Sequence, residues 1–349
     1  MWIRVHSRFN CLGSLQETIP VKKRFDVLGL GCTAVDEILY VPKYPAPDGK
    51  VEVREREIHC GGLTATALVA AARLGARAAF AGTLGADDGS RFISATFRRE
   101  GVNTRHAVSR RGAGPIRSLI VVDETRRTRN IFYDPKAALG AHPRLPAKAV
   151  IESTRVLLVD RFGIPGMIRA ARIARAADIP VVADFESSHL PRFDELLALV
   201  DHLIVSENFA LRLTGARTAS AAITRLWRAD RRVVILTSGA RGGWFQEAGM
   251  AGPQRFQSFR VEAVDTTGCG DVFHGAYAIA LAEGMELSVR LRFASAAAAL
   301  KARRHGGQAG IPLCRDVEHF LAAQDGRTLN LAPTLESKPA RARGSFGAS

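Results

Sequence analysis

Residues 264–284 read VDTTGCGDVFHGAYAIALAEG, in which Asp265, Thr266, Thr267, Gly268, Cys269, Gly270 and Asp271 are small or polar and an apolar, alanine-rich stretch follows. Gly268 and Gly270 let the backbone turn tightly and let a ligand come close. With a helix starting near Asp271, unpaired backbone N–H groups point into the turn. Together with the helix dipole, they favour a phosphate or a developing negative charge. The chemistry that fits is phosphoryl transfer. Asp271 would take the proton of a hydroxyl while the amides of Gly268, Cys269 and Gly270 hold the charge on the transferring group. The same residues also have a plainer use, since an Asp at a helix start is commonly a cap and paired glycines are commonly turns.

The elements that must position this turn belong to a chain of 349 residues. That is enough for one large α/β domain with an appendage, or for two domains. Hydrophobic residues at 47% and charged residues at 24% are globular usage, and no apolar run reaches membrane-spanning length. Five cysteines (Cys11, Cys32, Cys60, Cys269, Cys314) are scattered without CxxC spacing. That pattern argues against a disulfide framework or a zinc site and for a reducing cytoplasm. The net charge is +15, yet the arginines are dispersed and aromatics are only 7%. Nucleic acid is therefore not the expected partner. The excess charge reads as solvated surface that also attracts anionic ligands.

Short apolar runs at 25–31, 79–84, 156–159, 181–184, 202–205 and 233–237 alternate with helical stretches such as 63–74 and 168–177. This alternation predicts a parallel sheet. Ligands then bind at the carboxyl ends of the strands, where Asp184 and Arg161 fall. Residues 41–58 alternate like a half-exposed strand pair, and 118–133 read as strand, turn, strand. Gly75 closes the helix at 63–74 as a C-cap. Residues 1–23 are expected to be a disordered extension or an artefact of an early start codon, and 325–349 a disordered tail.

DTTGCGD ahead of an Ala-rich helix resembles the DTxGAGD signature of the ribokinase, or PfkB, family of carbohydrate kinases. Cys269 replaces the usual Ala, which should spare the amides and make the site sensitive to thiol reagents. GGLTATALVAAARLG resembles GGxxxNxAxxxxxLG, with Thr66 in place of Asn. The segment GADDGSRFISATFRREGVNT, the TxGxxG-like TSGARGG and the final RFASAAAALKARRHGGQAGIP follow in the family's order, so the resemblance spans residues 25–323. It implies a doubly wound, mostly parallel sheet with helices on both faces, within a domain at 24–324. A small β lid would come from about 37–60 and 106–135.

The resemblance also implies transfer of the γ-phosphoryl of ATP to a sugar hydroxyl, with magnesium bridging the phosphates. Asp271 would be the base, and Asp36, Gly61, Gly62 and Thr66 would meet the sugar. Thr237, Gly239, Gly242, Ala298 and Gly306 would meet the nucleotide. Asp265 and Thr267 would shape the loop or a monovalent-cation site for potassium. Where the family shows NxxE near magnesium, this chain has Ser206 and Phe209, with Glu207 as the candidate substitute. His274 reads as a packed helix histidine. Several segments are similar to the sulfofructose kinase branch, which implies an anionic ketose with Lys50 and Arg161 facing the sulfonate. The alternatives are a ribokinase- or fructokinase-type enzyme for a neutral sugar, or a non-catalytic sugar or nucleotide sensor on the same scaffold. Exposed lid edges are often paired, which predicts a homodimer through the lid.

Overall fold

The computed structural model describes residues 23–126 and 128–325. The stretches expected to be terminal extensions lie outside the described residues, apart from Lys23 and Asp325. The chain begins with β1 (Phe25–Leu30), β2 (Ala34–Val41), β3 (Glu55–Gly61) and helix α1 (Leu63–Arg73), then β4 (Ala78–Phe80), β5 (Thr83–Leu84) and α2 (Asp88–Arg99). Next come β6 (Val108–Ser109), β7 (Ile116–Asp123), β8 (Thr128–Asp134), α3 (Lys148–Glu152), β9 (Thr154–Val159), α4 (Ile164–Ala176), β10 (Val181–Phe185) and α5 (Phe193–Ala198). It continues through β11 (His202–Ser206), α6 (Glu207–Thr214), α7 (Ala219–Leu226), β12 (Val233–Thr237), β13 (Gly243–Glu247) and β14 (Gln254–Phe256). The last elements are α8 (Cys269–Ala282), α9 (Leu287–Lys301) and α10 (Cys314–Asp325).

An eight-stranded sheet is ordered β14-β13-β12-β11-β10-β9-β1-β4. It is parallel from β4 to β12, and β13 and β14 add antiparallel at one edge. Its inner strands are apolar on both faces, because helices cover both sides of a parallel sheet. Successive residues alternate between two cores. Val156, Leu158, Val233 and Ile235 pack with α1, α8 and α9, whereas Leu157, Val159, Val234 and Leu236 pack with α4, α6 and α7. The fold is thus doubly wound with helices on both faces, as the strand–helix alternation predicted.

A separate four-stranded sheet is ordered β3-β2-β7-β8. Asp36 is paired with His59 and Ser118, and Ser118 with Tyr133, so these side chains share one face. Arg129 lies on that same face by register and reaches Asp265 at 3.6 Å. His59 stands against Gly306. This face therefore looks at the turn ahead of α8. The opposite face carries Ile58, Glu37, Leu119 and Phe132 in one row.

Asp36 sits within β2, and two local expectations differ from the structure. Residues 42–54 carry no strand, because the alternating KVEV segment finds no partner and Glu52 and Val53 stay exposed. The run at 79–84 breaks in two, since β4 pairs with β1 while β5 pairs with β6.

Candidate active site

Helix α8 begins at Cys269, earlier than expected, so Asp271 is its third residue. Gly268 is the N-cap, at φ 76°, and no side chain caps this end. The first helical bond runs from Val272 N–H to the Gly268 carbonyl at 2.9 Å, and the Cys269 N–H donates to Thr266 O at 3.3 Å. The amides of Gly268, Gly270 and Asp271 have no such acceptor among the described residues. Of the amides expected to hold charge, Cys269's is thus already engaged, and Asp271's own amide is open in its stead. A buried helix behind an uncapped end presents these donors and its dipole to a ligand. Gly268 lies against the neighbouring turn, where a Cβ would come 2.8 Å from Gly307 O, whereas a Cβ on Gly270 would meet nothing within 4 Å.

Carboxylates gather behind the turn. Burial pushes the Asp271 carboxyl well above the usual carboxylate range, and nearby Asp184 adds to the rise while His274 opposes it. Asp184, at the carboxyl end of β10, is raised in the same way by burial and then by Glu186 and Asp160. His274 is buried, with Nδ1 2.8 Å from Gly270 O and Nε2 3.0 Å from Ile204 O. Its Nδ1 is also 3.2 Å from Asp184 Oδ2, an atom left without a hydrogen-bond partner. The packed histidine expected from the sequence therefore also braces the first turn of α8. Asp160, fully buried, accepts from the Cys32 amide at 2.8 Å, the Phe162 amide at 2.7 Å and Thr64 Oγ1 at 2.9 Å. It ties the end of β9 to β1 and α1. Sequence reasoning gave Asp160 no role. Its signal was an Asp directly after an apolar strand, beside Arg161.

The sugar-side residues separate into groups. Asp36 lies against Gly61, where a Cβ would stand 2.0 Å from its Oδ2. Burial raises its carboxyl, and a hydrogen bond from Ser118 opposes the rise. Gly62 is the N-cap of α1. Thr66 is 1% exposed, and its hydroxyl accepts from Gln308 Nε2 at 3.2 Å, so it is already committed inside the protein. Arg161 is buried, its guanidinium 4.4 Å over the Phe162 ring and its Nε without a partner. Phe162 packs with Cys32, Ala34 and Ile116 at the root of the small sheet. Lys50 is exposed on the loop joining β2 to β3.

A cavity of about 670 Å³ opens on the other side of the turn, lined by Thr237, Gly239, Gly242, Glu207, Phe259, Thr266, Cys269, Gly270 and Ala298, among others. Four of the five expected nucleotide residues meet here, while Gly306 stands apart against His59. TSGARGG forms a hairpin, with Thr237 paired to Gly243 across a 3-10 turn. Ser206 caps α6 by accepting from the Phe209 amide at 3.1 Å, and Phe209 is buried. That explains their types where the family pattern has Asn and Glu. The Glu207 carboxylate accepts from Ser238 and Arg241. Asp265 accepts from the Thr267 amide at 2.8 Å and the Gly306 amide at 2.9 Å, joining two loops. The Cys269 thiol is pushed up to about 11, chiefly by burial, which runs against the sensitivity to thiol reagents expected from the sequence.

Residues 25–314 match the family model described as pfkB family carbohydrate kinase. The chain belongs to the pfkB family of carbohydrate kinases. It is a phosphotransferase with an alcohol group as acceptor. The ribokinase of Haemophilus influenzae is 30% identical over 306 residues, 84% of this kinase and 97% of that protein. The 5-dehydro-2-deoxygluconokinase of Shouchella clausii is 24% identical over 325 residues, 86% and 97% of the two chains. The structure of Arabidopsis thaliana ribokinase complexed with ribose and ATP superposes on this kinase with a TM-score of 0.76 at 24% identity, covering 85% of this chain and 98% of that one. That likeness shows the fold.

Proposed function

We propose that this kinase transfers the γ-phosphoryl group of ATP to a hydroxyl of a small anionic ketose, such as sulfofructose. One observation carries the catalytic reading: Asp271 stands in the uncapped first turn of α8, between the 670 Å³ cavity and the face of the small sheet that bears Asp36. The nucleotide would fill the cavity, with its phosphates at the open amides. The sugar would lie under the small sheet, which acts as a lid, with a hydroxyl at Asp271. Asp271 takes that proton as the γ-phosphoryl arrives, and the amides hold the charge in transit. A lid over the sugar excludes water and limits ATP hydrolysis.

Magnesium neutralises the phosphates when it enters with ATP. No cluster of three His, Cys, Asp or Glu side chains suited to a resident metal exists among the described residues. The orphaned Oδ2 of Asp184 fits a magnesium carried in on phosphate, whereas Glu207 is already held by Ser238 and Arg241.

Buried Arg161 supports the anionic substrate, because an unpartnered guanidinium Nε suits a planar fork of acceptors. The gluconokinase among the relatives is named for a carboxylate sugar. The relatives named ribokinase favour the second reading, a neutral sugar. Turnover of ribose, fructose, fructose 6-phosphate and sulfofructose decides between them. The anionic reading expects kcat/KM at least about tenfold higher for one anionic ketose, with that preference lost in Arg161→Gln. Equal efficiency with neutral and anionic sugars contradicts it. Ile58 and Phe132 are each 52% exposed on the outer face of the lid, which supports a homodimer formed there. Free thiols at Cys32, Cys60, Cys269 and Cys314 support a reducing cytoplasm as the enzyme's compartment.

A further inference from the structure

Lys301, the last residue of α9, is 0% exposed. A fully buried lysine is rare unless its charge is paired, and the pairing here is with the loop that leads into the catalytic turn. Its Nζ donates to the Asp265 carbonyl at 2.9 Å and lies 4.0 Å from Asp265 Oδ2. The backbone around it is stitched tightly. The amides of Val264 and Asp265 both donate to Ala302 O, at 2.7 and 3.0 Å. The two carboxylate oxygens of Asp265 are committed to the Thr267 and Gly306 amides. Gly268 then rests on Gly307. An ammonium thus sits between the loop ahead of α8 and the turn after α9, facing a carbonyl and a carboxylate as a bound cation would.

Potassium does not fit these residues. The resemblance implied a monovalent ion at Asp265 and Thr267, but the Asp265 carbonyl already receives the lysine's donor. A second cation there would face the ammonium at short range. We propose that the Lys301 ammonium is a tethered replacement for the monovalent cation, so that loop order and phosphoryl transfer in this kinase do not require potassium. Lys301 is a positioning residue. It orders Asp265 and, through the loop, the amides of residues 268–271. The inference rests on the carbohydrate-kinase reading.

The test compares the full-length enzyme in potassium, sodium or tetramethylammonium chloride at constant ionic strength. The expected parent rates agree within about twofold across the three salts, and so do ADP affinity and Tm. Activation of the parent by potassium of more than about fivefold overturns the proposal. Lys301→Ala is expected to lose about 10²-fold in kcat/KM. It should regain at least about tenfold with ammonium or potassium chloride and none with the bulkier tetramethylammonium. Its Tm and ADP affinity should rise with the same two ions, and Lys301→Ser, which vacates the same space, gives the same reading should the alanine variant not fold. A loss that no cation restores marks Lys301 as packing alone and overturns the inference. If no sugar is turned over, the kinase reading fails by itself, while Tm and ADP affinity still decide this one.

Discussion

Replacing Gly268 and Gly270 with alanine, one at a time, separates what the turn needs to fold from what it needs to bind. Gly268 sits at φ 76°, and its new Cβ would lie 2.8 Å from Gly307 O, a backbone atom that cannot swing away. Left-handed backbone costs an L-residue about 1–2 kcal/mol, and overpacking adds about 1–3 kcal/mol. Gly268→Ala should therefore lower Tm by roughly 3–7 °C and also lower activity. Gly270 has no atom within 4 Å of the would-be Cβ and is exposed on the cavity wall. Within a helix, alanine gains about 0.5–1 kcal/mol over glycine, so Gly270→Ala should raise Tm by roughly 1 °C. Its methyl nevertheless stands where a phosphate must approach the amides, and losing one such donor costs about 10²–10³ in rate. Thermal melts and ADP-release kinetics on the best sugar of the panel read both effects. A Gly270→Ala enzyme within about threefold of the parent kcat/KM would refute the claim that this turn cradles the phosphoryl group.

Further expectations concern charge and the loops that frame the turn. Asp271 acts as a base only when ionised, and burial and then Asp184 raise its pKa. The rate should therefore fall as pH drops through a limb above the usual carboxylate range, and Asp184→Asn should move that limb to lower pH. An unmoved limb in pH profiles of kcat/KM would contradict the coupling. At pH 7.5, a Cys269 thiol raised to about 11 is ionised to only about 3 parts in 10,000. Iodoacetamide labelling followed by mass spectrometry should then be slow and slower still with ATP bound. Arg73 holds Glu100 at 2.8 Å and the carbonyls of Gln308 and Ile311 at 3.0 and 2.9 Å. Arg73→Ala should cost about 2 kcal/mol, or roughly 3 °C in Tm, and loosen the turn against Gly268. A melt unchanged from the parent would show those bonds to be worth nothing.

Much of the fold was legible because β1 and β9 to β12 are buried on both faces and must be continuous apolar runs. β2 was not, since it follows β1 after only Gly31, Cys32 and Thr33 and carries Asp36 and Glu37 on an incompletely buried sheet. The KVEV segment shows the reverse error, alternation without a neighbour to pair with. At the site, the turn from Asp265 to Asp271 could be read because its chemistry is local: glycines, a helix start and a carboxylate within one short stretch. Asp160 and Lys301 could not be given roles, and Asp184 only a place at a ligand-binding strand end, because only the parallel topology brings strand ends and the end of α9 to one place. Thr66 shows the limit of matching types to positions. The sequence placed it at a ligand, and burial turned it toward Gln308.

The most direct test of the central claim is turnover by Asp271→Asn, measured beside its affinity for magnesium-ATP. Asparagine keeps the shape and removes the base. The account predicts a fall in kcat of about 10²–10⁴, with nucleotide affinity within about threefold of the parent. Turnover near the parent value would show that the sugar's proton leaves by another route and that the carboxylate in the α8 turn is not the base.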